Sequence, residues 1–215
     1  PPYTPQEVET VKLCVSNPAV AEQIVANWVA AGMRSKWVNV CEDDLSWGFC
    51  RCENCRKLDV PKEGEEFGVH LTDRYVHLAN AVVRLARKHN PEAGAVMYAY
   101  EMTERPTRRE RLDPGVAIGI VPTTVDLKEL GQLYEGWAAR GARVTFTRPN
   151  LPLYYHSMAL PLGADRQMFE VLQLAVKYGA ISADYDSLTG MWPVCGMADY
   201  ILAKAMSDPS KPFET

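Results

Sequence analysis

The sequence lacks the patterns that would assign it to several large functional classes. Its 215 residues contain no apolar run of about 18 residues, so no transmembrane helix is predicted. The first ten residues, PPYTPQEVET, are polar and rich in proline, so no signal peptide is predicted either. No phosphate-binding loop, dinucleotide fingerprint, serine nucleophile elbow or EF-hand loop is visible, which sets those motif-based classes aside.

Charge of one sign does not dominate the chain. It has 23 Lys and Arg residues against 27 Asp and Glu residues, for a formal net charge of -4. The basic residues cluster only between residues 105 and 111, which is too short a patch to attract a nucleic acid backbone. The sequence therefore predicts no nucleic acid partner.

Cysteine is scarce overall but concentrated in one place. Six cysteines are too few for a disulfide scaffold in a chain of this size, yet Cys41, Cys50, Cys52 and Cys55 fall within fifteen residues. The C-x-C-x-x-C spacing, with Cys41 as a fourth thiolate, fits a closed structural zinc site. A local disulfide or a group of free thiols fits the same spacing. These three alternatives stay open, and no cofactor is predicted to be required for catalysis.

Helical signals recur along the chain. Asn17 followed by Pro18 predicts the start of a helix that ends near Gly32. The apolar stripe at residues 67–85 predicts a long second helix. A capping box at residues 126–129, an apolar stripe at 168–175 and a last helix over about 197–206 follow.

Short β-prone runs alternate with these helices. They lie at residues 36–41, 95–100, 116–121, 143–148 and 181–185, with a weaker run at 11–16. The alternation predicts an α/β fold with a parallel sheet, and an apolar content of 47% is enough for residues 1–215 to form a single domain. Because each run ends in a polar loop, we expect a TIM-type (β/α)8 barrel. A barrel needs eight strands, so the chain is predicted to contain only the C-terminal five or six βα units of one.

The loop after residues 36–41 concentrates the polar chemistry. Residues 42–55 read EDDLSWGFCRCENC, which begins with three adjacent carboxylates and includes three thiols. A stable core does not require such a loop, whereas α/β proteins place functional groups where buried strands end. We therefore expect the functional site here.

Several motifs resemble the bacterial domain-of-unknown-function family 4838. They are the C-x-S-N-P stretch at residues 14–18, a strand that ends at Asp43-Asp44, the C-x-C-x-x-C cluster, a Tyr-rich run at 96–100 and a Gly-Met-Ala-Asp-Tyr helix near Lys204. Members of this family are similar to glycosidase barrels such as β-N-acetylhexosaminidases and α-glucuronidases. This sequence departs from the family in having Asp43 where Asn is usual. The resemblance implies a larger periplasmic or extracellular protein that degrades polysaccharides. It also implies partners for this chain, namely the missing N-terminal part of the barrel or further domains.

The resemblance implies glycoside hydrolysis by two carboxyl groups. Asp44, with Asp43 beside it, is the first candidate for the catalytic acid, and Glu101 and Asp184 are candidate partners at other strand ends. Crowded carboxylates raise the pKa of at least one member, as a general acid requires. The structural alternative is that these acids cap helices or pair with arginine, and three arginines lie between residues 105 and 109, near Glu101.

Aromatic and polar side chains near the strand ends predict a carbohydrate-binding surface. The candidates are Trp47, Tyr98, Tyr100, Tyr154, His156, Asp186 and Trp192. Trp192 is the first candidate for stacking on a sugar ring. The same pattern fits a non-catalytic carbohydrate-binding module of a larger secreted protein. A metal-dependent hydrolase is a third alternative, and it requires an open metal position with oxygen or nitrogen ligands.

Overall fold

The computed structural model describes residues 11–42, 47–150, 165–185 and 192–213 of the chain. Four short strands are present, β1 (Trp37–Asn39), β2 (Gly94–Ala99), β3 (Val116–Ile120) and β4 (Val144–Thr147). They hydrogen-bond in the order β1-β2-β3-β4 as one parallel sheet. The predicted α/β class is therefore confirmed, and the four predicted runs at 36–41, 95–100, 116–121 and 143–148 each contain a strand.

Helices connect and flank these strands. They are α1 (Pro18–Ala30), α2 (Glu53–Leu58), α3 (Thr72–Ala86), α4 (Leu127–Ala139), α5 (Asp165–Lys177) and α6 (Trp192–Ser207), with a 3-10 helix at Glu101–Thr103. The predicted start of α1 is confirmed, because the Asn17 side chain accepts a hydrogen bond from the Ala19 N–H at 3.1 Å. Beyond the end of α1, Gly32 has a φ of 82°, a left-handed conformation that glycine adopts without strain.

The long second helix begins later than the sequence predicts. The apolar stripe starts at residue 67, but α3 starts at Thr72. Gly68 has a φ of 101°, which a right-handed helix cannot contain, so the chain turns there before the helix begins. The prediction was wrong over residues 67–71 because helical spacing alone does not reveal a glycine in the left-handed region.

The predicted last strand is reduced to a single parallel bridge between Thr147 and Ala183. The Ile181 N–H donates to Thr145 O at 2.9 Å, and the Asp184 N–H donates to Thr147 O at 2.8 Å, so residues 181–184 run alongside β4. Residues 11–16, the weaker candidate, are not a strand. Within the described ranges the strands form an open sheet and do not close into a barrel.

Packing divides the chain into two compact units. Unit 1 comprises residues 1–118 and 137–143, and unit 2 comprises residues 119–136 and 144–215. In unit 1, α3 packs against β2 and buries Val76, Val82 and Val83 completely. In unit 2, α5 packs against α6, with Val171 and Leu202 buried. No helix in the described part of the chain is both long and apolar enough to cross a membrane.

Candidate functional site

Four thiols from two distant parts of the chain meet in unit 1. Cys14 comes from the segment before α1, and Cys50, Cys52 and Cys55 come from the loop before α2 and from α2 itself. Their Sγ atoms all lie within 4.8 Å of one another, and Cys14 Sγ is 3.7 Å from the Sγ atoms of both Cys52 and Cys55. A disulfide requires a separation of about 2.05 Å, and all four are free cysteines. The four thiols therefore form a cluster with a spacing that can hold a metal ion.

Cys41, predicted as the fourth thiol, lies outside this cluster. Its Sγ is 3.6 Å from the carbonyl oxygen of Val96, toward which its thiol points as a donor. The preceding Val40 N–H also donates to Val96 O at 2.9 Å, so the β1–β2 pairing draws this part of the chain toward β2. Closeness in sequence suggested Cys41, but the structure brings Cys14 to the other three thiols instead.

The environments of the clustered thiols differ. Cys52 caps the N-terminus of α2, where its Sγ accepts the Cys55 N–H at 3.4 Å. This hydrogen bond, with others from Ser16 and Cys50, lowers the pKa of Cys52 to about 6. Burial raises the pKa of Cys50 to about 12 and also raises that of Cys55. Ser16 Oγ accepts the Cys55 thiol at 3.1 Å, so a hydroxyl lies directly against the sulfur atoms.

A buried arginine braces the cysteine loop from α3. The Arg74 side chain is only 1% exposed, and its Nη1 donates to Cys50 O at 2.9 Å. The rest of its guanidinium forms a two-point ion pair with Asp59, with Nε to Oδ1 at 2.7 Å. Arg74 thus connects the start of the cysteine motif to the residues that follow α2. The thiols are held on a fixed scaffold rather than on a free loop.

A second set of contacts organises residues 105–111 against α3. The buried Asp73 carboxylate accepts the N–H groups of residues 108–110 at 2.8 to 2.9 Å. Burial would raise the pKa of Asp73, but the His70 imidazole, with Nε2 at 3.7 Å from Asp73 Oδ2, and the hydrogen bonds from these amides outweigh it and hold that pKa well below its usual range. The Arg108 guanidinium forms a two-point ion pair with Glu65 at 2.6 Å. Arg108 therefore holds the residues that follow α2 against this segment.

Lys12, in the segment before α1, contacts both ends of the acidic loop at residues 42–49. Lys12 has a fully buried side chain, and its Nζ lies 3.3 Å from Glu42 Oε1 and 4.9 Å from the centre of the Phe49 ring. The Lys12 N–H donates to Gly48 O at 3.0 Å. Both ends of the loop at residues 42–49 are thus held by one residue. Asp43 and Asp44, the first catalytic candidates, lie outside the described residues, and Trp47 is 58% exposed.

The carboxyl end of β2 carries three further candidates. Tyr98 and Tyr100 are both half-buried, and as alternate residues they point to the same side of the sheet. Glu101 follows directly, is exposed, and has a φ of 50°, which a non-glycine residue rarely adopts. Thr103 holds this turn, since its Oγ1 donates to Tyr98 O at 2.9 Å and accepts the Tyr100 N–H at 3.3 Å. Glu101 is therefore presented to solvent by an anchored but unusual backbone.

Two of the arginines that follow Glu101 in the sequence bind other groups. Arg108 pairs with Glu65, and Arg109 donates to the carbonyl oxygens of Lys57 and Leu58. Within the described residues, no ion pair or hydrogen bond engages the Glu101 carboxylate. Arg108 and Arg109 therefore do not account for Glu101 through an ion pair.

Asp184 belongs to unit 2 and is 52% exposed at the end of the bridge beside β4. Its Oδ2 accepts a hydrogen bond from Arg148 Nε at 3.1 Å, so a structural ion pair accounts for at least part of its role. Three other candidates, Tyr154, His156 and Asp186, lie outside the described residues. Trp192 is the first residue of α6 rather than part of a loop.

Sequence reasoning missed the residues that complete and brace the thiol cluster. Cys14 and Ser16 lie in the C-x-S-N-P stretch at residues 14–18, far in sequence from the cysteine loop that they contact. Lys12 and Arg74 carry no sequence signal, because a charged residue in an otherwise ordinary stretch does not reveal that it is buried. The motif around Cys14 was the one signal that could have identified the fourth thiol.

Comparison with known proteins finds a matching family. The model of a family described as Domain of unknown function (DUF4838) matches residues 2–214, which is nearly the whole chain. No curated protein and no solved structure matches the chain.

Proposed function

The chain belongs to the DUF4838 family, and from this premise we propose that it is a glycoside hydrolase, or part of one, that uses carboxylate acid/base chemistry on an oligosaccharide or polysaccharide. The observation that carries the proposal is Glu101. Glu101 is exposed immediately beyond an interior strand of the sheet, and Arg108 and Arg109 bind other groups. The carboxyl ends of parallel strands are where α/β folds bind and transform substrates.

The backbone at Glu101 supports a functional role for this residue. A non-glycine residue in the left-handed region costs on the order of 1 to 2 kcal/mol, and glycine at this position would avoid that cost. Such strain persists where surrounding contacts hold it, and it is common at active sites. Here the contacts come from Thr103 and from the Met102 carbonyl, which accepts the Leu71 N–H at 2.9 Å.

The parallel pairing of β1 with β2 supports Asp44 as the partner of Glu101. Asn39 pairs with Val96 across β1 and β2. Because neighbouring parallel strands end at the same edge of a sheet, the chain leaves β1 and β2 at one edge. Asp44 follows β1 in the sequence and Glu101 follows β2, so we propose them as the two carboxyl groups. Glycosidase pairs stand about 5 to 10 Å apart, a separation that neighbouring strands can provide.

One face of β1 and β2 supports carbohydrate as the substrate class. Asn39, Tyr98 and Tyr100 fall on the same face by alternation and register, and each is at least partly exposed. Aromatic rings beside an amide are suited to stacking on sugar rings while a polar group binds hydroxyls. In this proposal the open sheet is a portion of a (β/α)8 barrel, and this face lines the interior that further strands would enclose.

We propose that the thiol cluster holds zinc in a structural role. Four thiolates are the ligand set of closed structural zinc sites, whereas catalytic zinc sites keep a position open for water or substrate. A closed all-sulfur site has no open position at which to activate water. In this proposal the carboxyl groups therefore carry out the acid/base catalysis. This argues against the metal-dependent hydrolase alternative and leaves catalysis without a required cofactor.

The proposal can be tested with a panel of chromogenic and natural glycosides. We expect hydrolysis by the wild-type protein and losses of at least about 100-fold for both Glu101→Gln and Asp44→Asn, since acid/base groups contribute about 100- to 10,000-fold. Glu92→Gln is the matched control, because Glu92 is an exposed acid just before β2, at the opposite end of the strand. Activity that survives Glu101→Gln would refute the assignment of this residue.

The alternative function is a carbohydrate-binding module without catalysis. The half-exposed aromatic face favours it as much as it favours an enzyme, because binding needs no second carboxyl group. Calorimetric titration with oligosaccharides, followed by an assay for new reducing ends, separates the two. Binding without new reducing ends, in a sample that also contains the rest of the parent protein, would favour the module.

A further inference from the structure

The thiol cluster joins two segments that are far apart in sequence. Cys14 and Cys52 are separated by 38 positions, and Cys14 and Cys55 by 41. Both contacts lie in unit 1. From this arrangement, and resting on the zinc site proposed above, we infer that Cys14 is the fourth ligand of a closed four-thiolate site for a thiophilic divalent cation. We further infer that the bound cation fastens the segment before α1 to the acidic and cysteine-rich loop.

The observed spacing matches the chemistry of such a site. A tetrahedral centre with metal–sulfur bonds of about 2.3 Å has sulfur atoms about 3.8 Å apart. Cys14 Sγ is 3.7 Å from both Cys52 Sγ and Cys55 Sγ, and no pair among the four exceeds 4.8 Å. A small contraction around the ion would bring all four sulfurs to the tetrahedral distance. Cys41 cannot take the fourth position without leaving Val96.

The surroundings suit an anionic metal centre. Binding of a dication requires all four groups as thiolates, so the protons that the thiols still carry go to solvent, and the centre is left with a net charge of minus two. The Ser16 hydroxyl, 3.1 Å from Cys55 Sγ, can then turn to donate to a thiolate. The Cys55 N–H already points at Cys52 Sγ, and the buried cation of Arg74 interacts electrostatically with Cys55. These groups lower the cost of the negative charge without occupying a metal position.

The cation would also secure the acidic loop. Two residues before Cys14, Lys12 contacts Glu42 at one end of that loop and Gly48 and Phe49 at the other. Three residues after Cys14, Asn17 caps α1, and its N–H donates to Cys14 O at 2.8 Å. Residues 12–17 thus form a short strap, in which Lys12 contacts both ends of the loop at residues 42–49 and Asn17 caps α1. A metal bound at Cys14 would hold this strap in place.

Metal content of purified single-cysteine variants tests the inference. After reconstitution with zinc and gel filtration, we expect about one zinc per chain in the wild type and in Cys41→Ser, which is the matched control. Cys14→Ser should lose zinc affinity by more than about 100-fold, since even outer-shell partners contribute about 10- to 100-fold. Ser16→Ala, which removes such an outer-shell partner, should lose about 10- to 100-fold. Zinc loss in Cys41→Ser with retention in Cys14→Ser would overturn the ligand assignment.

Two further measurements keep the test informative if Cys14→Ser folds poorly. Cys14→His restores a ligand, so it should bind cobalt with an absorption spectrum altered from the four-thiolate form, whereas an unchanged spectrum would refute Cys14 as a ligand. Hydrogen exchange should show lost protection at Lys12 and at residues 47–50 when zinc is removed from the wild type, and unchanged protection there would refute the strap. A wild type that takes up no zinc would refute the zinc proposal itself, and the glycosidase assays would be unaffected by that result.

Discussion

Replacement of Arg74 by methionine should strongly destabilise the protein. The Arg74 side chain is 1% exposed, and that of its partner Asp59 is 10% exposed. Methionine fills similar space but leaves the Asp59 carboxylate without its ion pair and Cys50 O without its donor. Removal of one member of a buried pair costs about 3 to 5 kcal/mol, because the remaining charge is left desolvated. For a chain of this length that loss corresponds to a melting temperature lower by roughly 6 to 20 °C.

Thermal and urea unfolding at fixed zinc concentration measure the effect. Lys57→Met is the control, because Lys57 pairs with Glu53 on the surface of α2, at 67% and 81% exposure. That pair should contribute no more than about 0.5 kcal/mol. Combining Arg74→Met with Asp59→Leu should recover part of the loss, because the stranded charge is gone. A loss below about 1 kcal/mol for Arg74→Met, or no recovery in the double variant, would refute the reasoning.

Three more predictions concern other parts of unit 1. Gly94→Ala should destabilise by at least about 1 to 3 kcal/mol in urea unfolding, because a Cβ there would lie 2.4 Å from the backbone oxygen of Gly115, and a loss near zero would contradict this close contact. In the metal-free protein, Cys52 should be alkylated by iodoacetamide before the other clustered thiols at pH 7, since its pKa is about 6, and peptide mass spectrometry would reveal any other order. The Arg108 guanidinium lowers the pKa of Glu65 from 4.5 to about 2. The stability that this ion pair contributes to the folded state is therefore present above pH 4.5 and is lost as pH falls toward 2. Glu65→Gln should flatten the melting temperature profile across that window, and an unchanged slope would contradict the assignment.

Local interactions were readable from the sequence because their partners lie close together in the chain. The Asn17 cap of α1 depends on an N–H two residues later, and the Asp126 side chain accepts the N–H groups of Lys128 and Glu129 at 2.8 and 3.1 Å. This is one half of the predicted capping box, since the Asp126 N–H donates to Thr124 Oγ1 rather than to Glu129. The four strands were located by β-prone runs of a few residues. The three thiols of the C-x-C-x-x-C motif are close in space because they are close in sequence.

Only the tertiary structure decided the pairings between distant segments. Cys14 rather than Cys41 joins the thiol cluster, because strand pairing draws Cys41 to β2 while residues 11–16 lie across the loop. Arg108 pairs with Glu65, which is 43 positions away, and not with Glu101, which is closer in the sequence. Contacts across tens of residues depend on how helices and strands pack, and packing energy is shared among many side chains that no short motif encodes. The sequence by itself determined which groups are available for chemistry, and the packed fold determined which of them meet.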